Sequence, residues 1–155
     1  MKKADRHAGF TLLEILVVMT IIGILMGIFG VSYMRQVRVQ RLNEAAATVY
    51  AELNRARGAS QRQSVNQPIT WTATTLSAGA GRSVTLPNGA SFVTTPVIGL
   101  TYTAPHAELV VPGGGAGGWR LEIVDSTGTL HTAVDAVGVT GKVIRRNVLP
   151  LATPF

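Results

Sequence analysis

Glu14 is the one charged side chain between Phe10 and Met34, in a run of otherwise apolar and small residues. An ionised carboxylate in hydrocarbon costs roughly 2.5–3.5 kcal/mol on insertion scales. It is therefore either a polar residue tolerated near the end of a membrane anchor or a group that meets an opposite charge inside the apolar phase. The residues ahead of it form a short basic leader, with Lys2, Lys3 and Arg6 before Gly9, and Gly9-Phe10-Thr11-Leu12-Leu13-Glu14 opens the apolar run. About twenty helical residues from Ile15 to Met34, at ~1.5 Å each, cover about 30 Å, the thickness of a bilayer core. A cleaved secretory signal fits poorly. Its apolar core is ~7–15 residues long and ends in a small-x-small site, whereas this run continues to Tyr33-Met34-Arg35.

Elsewhere the side chains that could do chemistry are scattered. Gly113 to Gly118 contains a G-x-G-x-x-G spacing, but a dinucleotide loop opens a helix, and here a strand pattern follows with no Lys-Ser/Thr phosphate-loop pair. That run reads as a hairpin loop. His106 and His131 have no histidine at metal-ligand spacing, and His7 belongs to the leader. No serine sits in a G-x-S-x-G elbow, and Glu108, Glu122, Asp125 and Asp135 read as solvated strand and turn positions. Cysteine is absent, which removes disulfides, thiol catalysis and cysteine-based zinc sites together. The expectation is a protein without enzymatic activity, cofactor or metal.

Four segments position these residues. Residues 1–9 are the leader and 10–34 the apolar half of a first helix. Residues 35–63 continue that helix with an amphipathic pattern: Val39, Leu42, Ala46, Val49, Leu53 and Ala56 fall at spacings of three and four on one face, with Arg38, Arg41, Glu44, Glu52 and Arg55 at other angles. The helix should end near Gly58 to Gln63, before Asn66-Gln67-Pro68. From 64 to 155 the period changes to two, which predicts one β-rich domain of modest size. Its expected strands are Ile69 to Ala73, Val84 to Leu86 and Ser91 to Thr94 joined by a hairpin turn at Pro87-Asn88-Gly89, Val97 to Thr103, Leu109 to Val111, and Trp119 to Ile123. Leu130 to Val134 follows across Asp125-Ser126-Thr127-Gly128, and Gly141 to Val148 closes the chain.

Gly9-Phe10-Thr11-Leu12-Leu13-Glu14-Ile15-Leu16-Val17-Val18 resembles the cleavage and methylation motif of type IV prepilins and type II secretion pseudopilins. The resemblance implies cleavage after Gly9 by a membrane-embedded prepilin peptidase, which also N-methylates Phe10. It gives Glu14 a partner, the terminal ammonium of a neighbouring subunit as the filament grows. That pairing offsets much of the cost of burying the charge. Many major pilins carry a proline midway along this run; here Gly23, Gly27 and Gly30 are the only weak points, each worth about 1 kcal/mol relative to alanine. The implied fold is α+β, the pilin fold: one long N-terminal helix, transmembrane then amphipathic, packed on an antiparallel sheet.

A narrower resemblance, to the GspH/FimT group of minor pilins, rests on Leu53-Asn54-Arg55-Ala56-Arg57-Gly58-Ala59-Ser60, Arg62, Pro68-Ile69-Thr70 and Val139-Thr140-Gly141-Lys142-Val143. It implies a subunit that acts in initiation or at the tip of a pilus or pseudopilus. The implied partners are the prepilin peptidase, other pilins of the filament and an inner-membrane assembly platform. Localisation follows the same resemblance: a single pass through the cytoplasmic membrane, N-terminus inside and C-terminal domain outside. Charge does not orient the span, because Arg35, Arg38 and Arg41 match the leader's cations. The formal net charge is +6, and removing the leader's three cations with Asp5 leaves +4. FimT-like pilins contact DNA through a basic C-terminal segment, and Lys142, Arg145 and Arg146 lie where that segment would be. Against the family's G-R-x-R pattern, Gly141-Lys142-Val143-Ile144-Arg145-Arg146 has lysine for the first arginine and matches only loosely. The alternative function is therefore a DNA-binding minor pilin of a natural-transformation pilus, set against a solvated basic edge strand.

Overall fold

The computed structural model describes residues 11–79, 81–94, 99–112, 118–138 and 140–150. Two compact units divide at Val37/Arg38. A single helix, α1 (Leu12–Gln63), starts in the first and ends in the second. Its N-terminus is capped by Thr11, whose hydroxyl accepts the Glu14 backbone N–H at 3.3 Å. Every side chain described between Thr11 and Met34 is exposed, so apolar surface runs around the whole cylinder and not along one stripe. A helix apolar all round requires an apolar surrounding. By length and composition α1 is able to cross a membrane.

In the second unit the stripe read from the sequence is core. Leu42, Ala45, Ala46, Val49, Leu53 and Ala56 are buried, with Val39 packed against them. The strands that share this core are β1 (Gln67–Trp71), β2 (Thr75–Ala78), β3 (Ser83–Thr85), β4 (Ser91–Phe92), β5 (Thr101–Thr103), β6 (Glu108–Val110), β7 (Trp119–Val124), β8 (Leu130–Ala136), β9 (Val143–Arg145) and β10 (Leu149–Pro150). They form two antiparallel sheets: β3-β2-β1-β5-β6, and β10-β8-β7-β4 with β9 also on β8. The α+β layout of one long N-terminal helix followed by antiparallel sheets is the pilin-like layout anticipated from the residue pattern.

The strand register corrects several local expectations. Pro87-Asn88-Gly89 is a short 3-10 turn that hands the chain from one sheet to the other, not a hairpin: β3 pairs with β2, whereas β4 pairs with β7. Asn88 adopts φ +60°, and the strands on either side bond elsewhere, Leu86 N–H to Thr74 C=O and Phe92 N–H to Ala73 C=O. Thr75–Ala78 is a strand that the pattern missed, and β5 begins only at Thr101, with Gly99 and Leu100 outside it and Val97 and Ile98 outside the described residues. The glycine-rich run at 113–117 lies outside the described residues. The final expected strand is two pieces. β9 pairs Val134 with Arg145, whereas β10 pairs His131 with Leu149, one residue out of that register, so an extra residue lies between the two pairings. This is the offset of a β-bulge.

Candidate functional site

Gly9 and Phe10 lie outside the described residues. Glu14 stands in the first turn of α1, three residues after Thr11, with its backbone N–H on the Thr11 hydroxyl and carbonyl. The pair has the T-x-x-E spacing of a capping box, of which the Thr11 half is formed. A carboxylate there also interacts favourably with the helix dipole by roughly 0.3–1 kcal/mol. The insertion cost of roughly 2.5–3.5 kcal/mol is several times larger, so the cap does not remove the need for a cationic partner in hydrocarbon.

The basic C-terminal residues are not equivalent. Arg146 Nε donates to Asp135 Oδ2 at 2.5 Å, and Arg120 Nε donates to the other oxygen of the same carboxylate at 2.7 Å. Burial pushes the Asp135 carboxyl up, and the hydrogen bonds and charges of Arg120 and Arg146 outweigh it, holding the group below the ordinary carboxylate range. Asp135 is thus the centre of a three-strand ion cluster, not a solvated acid. Lys142 and Arg145 are exposed and form no ion pair among the described residues. Together with Tyr50, Val143 and Ile144 they line an open groove of about 590 Å³.

Two more acids are buried: Glu52, which the sequence placed off the apolar stripe, and Asp125, which was expected to be solvated. Glu52, 4% exposed, binds Arg55 and Arg82, and Arg55 also donates to the Ala78 carbonyl in β2. Asp125 closes the β7–β8 turn by accepting the Thr129 and Leu130 N–H groups at 2.8 and 2.9 Å and the Thr127 hydroxyl. Burial raises the Asp125 carboxyl and these hydrogen bonds outweigh it, for a net lowering. Gly141 adopts φ +60°, and a Cβ there would come within 2.1 Å of the Ala107 carbonyl oxygen and 3.0 Å of the Tyr102 ring. That glycine is required by backbone crowding and not by ligand chemistry. His131 is half-buried in β8, and His106 is exposed in the turn between β5 and β6. Among the described residues no three His, Asp or Glu side chains converge as metal ligands.

Residues 5–30 match the family model described as the prokaryotic N-terminal methylation motif. The chain matches no curated protein and no solved structure. The match supports a subunit of pilin type, and it covers Gly9, Phe10 and Glu14 together with most of the apolar span.

Proposed function

We propose that this chain is a minor pilin or pseudopilin of GspH/FimT type, a structural subunit of a type IV pilus or type II secretion pseudopilus that acts in initiation or at the tip. The observation that carries the reading is the methylation motif at residues 5–30, which leads into a helix apolar on all sides and then into a sheet-bearing unit with its own core. In this reading the leader is residues 1–9, prepilin peptidase cuts after Gly9 and methylates Phe10, and residues 10–34 anchor the chain in the cytoplasmic membrane with the C-terminal unit outside. The subunit then leaves the bilayer for the filament through the assembly platform. Glu14 recruits the terminal ammonium of a neighbouring pilin, a contact that exists only in the assembled state.

Mass spectrometry of filaments from the host tests the processing. The expected N-terminus is N-methylated Phe10, and an intact Met1 or Lys2 in assembled material overturns the reading. Glu14→Val separates insertion from assembly: membrane insertion should hold or improve while incorporation falls, and incorporation equal to wild type removes the pairing role.

DNA contact is the second reading, favoured by Lys142 and Arg145 sharing one groove. Arg146 is already held by Asp135, so two phosphate contacts replace the three suggested by the sequence. At roughly 0.9 per contact, the slope of log affinity against log salt becomes about −1.8.

A further inference from the structure

The groove beside β9 has a property that its charge alone does not reveal. Among the described residues β9 pairs with β8 alone. The antiparallel parity is fixed at both ends of the pairing, because the Val137 N–H donates to the Lys142 carbonyl and the Arg146 N–H donates to the Ala133 carbonyl. Hydrogen-bonded pairs alternate with non-bonded ones in such a ladder, so Ile144 turns its N–H and C=O toward β8. Val143 and Arg145 therefore turn theirs away from β8, and both residues line the groove that Tyr50 of α1 also lines.

We infer that this edge is a docking site for an extended, acidic polypeptide segment of another protein, added to β9 as a further strand. Three observations define the occupant. The outward backbone groups alternate donor and acceptor, which matches the main chain of a peptide strand. A nucleic-acid backbone offers phosphate acceptors alone, and would set its oxygens against the outward carbonyls of Val143 and Arg145. The charged side chains at the rim are Lys142 and Arg145, with no carboxylate among the described lining residues, so acidic residues in the docked strand are complementary. Tyr50 and Ile144, 41% and 42% exposed, supply apolar area against which alternate side chains of the strand can pack. A second copy of this chain suits the site poorly, since it carries 14 lysines and arginines against 8 acids. The site lies within residues 38–155 and does not depend on the filament reading.

The test uses the full chain in detergent micelles and a fluorescent eight-residue peptide alternating glutamate with valine. Binding is expected to weaken at least about tenfold when Lys142 and Arg145 are both changed to glutamate, as it is when lysine replaces glutamate in the peptide. N-methylation of every second peptide amide, which leaves the charge unchanged but removes half of the strand donors, is expected to abolish binding in one of its two registers. Amide hydrogen exchange gives the positional readout: the Val143 and Arg145 N–H groups should slow on peptide addition while those of β4, the opposite edge of the sheet, do not. Peptide that binds equally in both N-methylated registers, or that leaves Val143 and Arg145 unprotected, overturns strand addition. A thymidine oligonucleotide that binds the same variants in the same order, with no peptide binding at equal concentration, overturns the peptide proposal in favour of DNA.

Discussion

The two ends of α1 use the same kind of side chain in opposite ways. Leu16 is 61% exposed in a segment that offers apolar surface in every direction, whereas Leu53 is 1% exposed among strands that the chain itself provides. The first arrangement needs an external apolar phase; the second makes its own. The period of the apolar residues separates the two cases. Continuous apolar sequence signals a helix whose surrounding lies outside the chain, and spacings of three and four signal one that the rest of the chain covers.

The sharpest way to break that contrast is to truncate one leucine at each end. Leu53→Ala should destabilise the C-terminal unit by about 2–5 kcal/mol, because a fully buried side chain leaves a cavity. Leu16→Ala should leave its stability within about 0.5 kcal/mol. Denaturant unfolding of the full chain in detergent, followed by the fluorescence of Trp71 and Trp119, measures both. Equal effects would mean that the two ends do not differ in what they pack against.

A smaller effect, confined to the C-terminal unit, comes from Gly141→Ala. The added methyl meets the Ala107 carbonyl at 2.1 Å and the residue must hold φ +60°, so a loss of about 1–3 kcal/mol is expected in the same assay. A neutral outcome would show that the Gly141 turn shifts freely.

The smallest effect is a titration. Tyr102, the middle residue of β5, is fully buried, and burial pushes its hydroxyl up to about 12, with the charge of Arg57 acting against the rise. A raised folded-state value means that the unfolded chain ionises first. This stability is therefore complete below about pH 10, the ordinary tyrosine value, and is lost as pH rises from there toward 12. Tyr102→Phe should remove this component of the alkaline loss while leaving neutral-pH stability unchanged or slightly higher, since its buried hydroxyl has no hydrogen-bond partner among the described residues. An unaltered pH profile in the variant would show that the loss arises elsewhere.

What the sequence revealed followed the range of the interactions involved. The helix stripe, the helix end at Gln63 and the β7–β8 hairpin over Asp125 to Gly128 are set by residues close in the chain, and all three were visible as period or turn chemistry. The turn at Pro87-Asn88-Gly89 had hairpin chemistry too, yet its flanking strands bond in different sheets, because their partners at β2 and β7 were not readable from local pattern. The acids tell the same story. Asp135 reads as a solvated acid until Arg120 arrives from β7 and Arg146 from just past β9, and Glu52 lies off the apolar stripe yet meets Arg82 from the loop between β2 and β3. In the candidate site, the cations were legible. An edge strand was among the readings too, but which of its backbone groups face outward was not legible, because the parity of a ladder exists only once its partner strand is known.

The one-residue slip between β9 and β10 bears on crowding. Filament subunits of the kind proposed stand side by side at very high local concentration, where a long, flat, open edge would let copies zip together through their backbones. On this edge the regular ladder on β8 runs only from Lys142 to Arg146 before the register breaks ahead of β10. A visiting strand can gain a few hydrogen bonds there but cannot run on into an unlimited sheet, so contact at this margin is brief and reversible by construction.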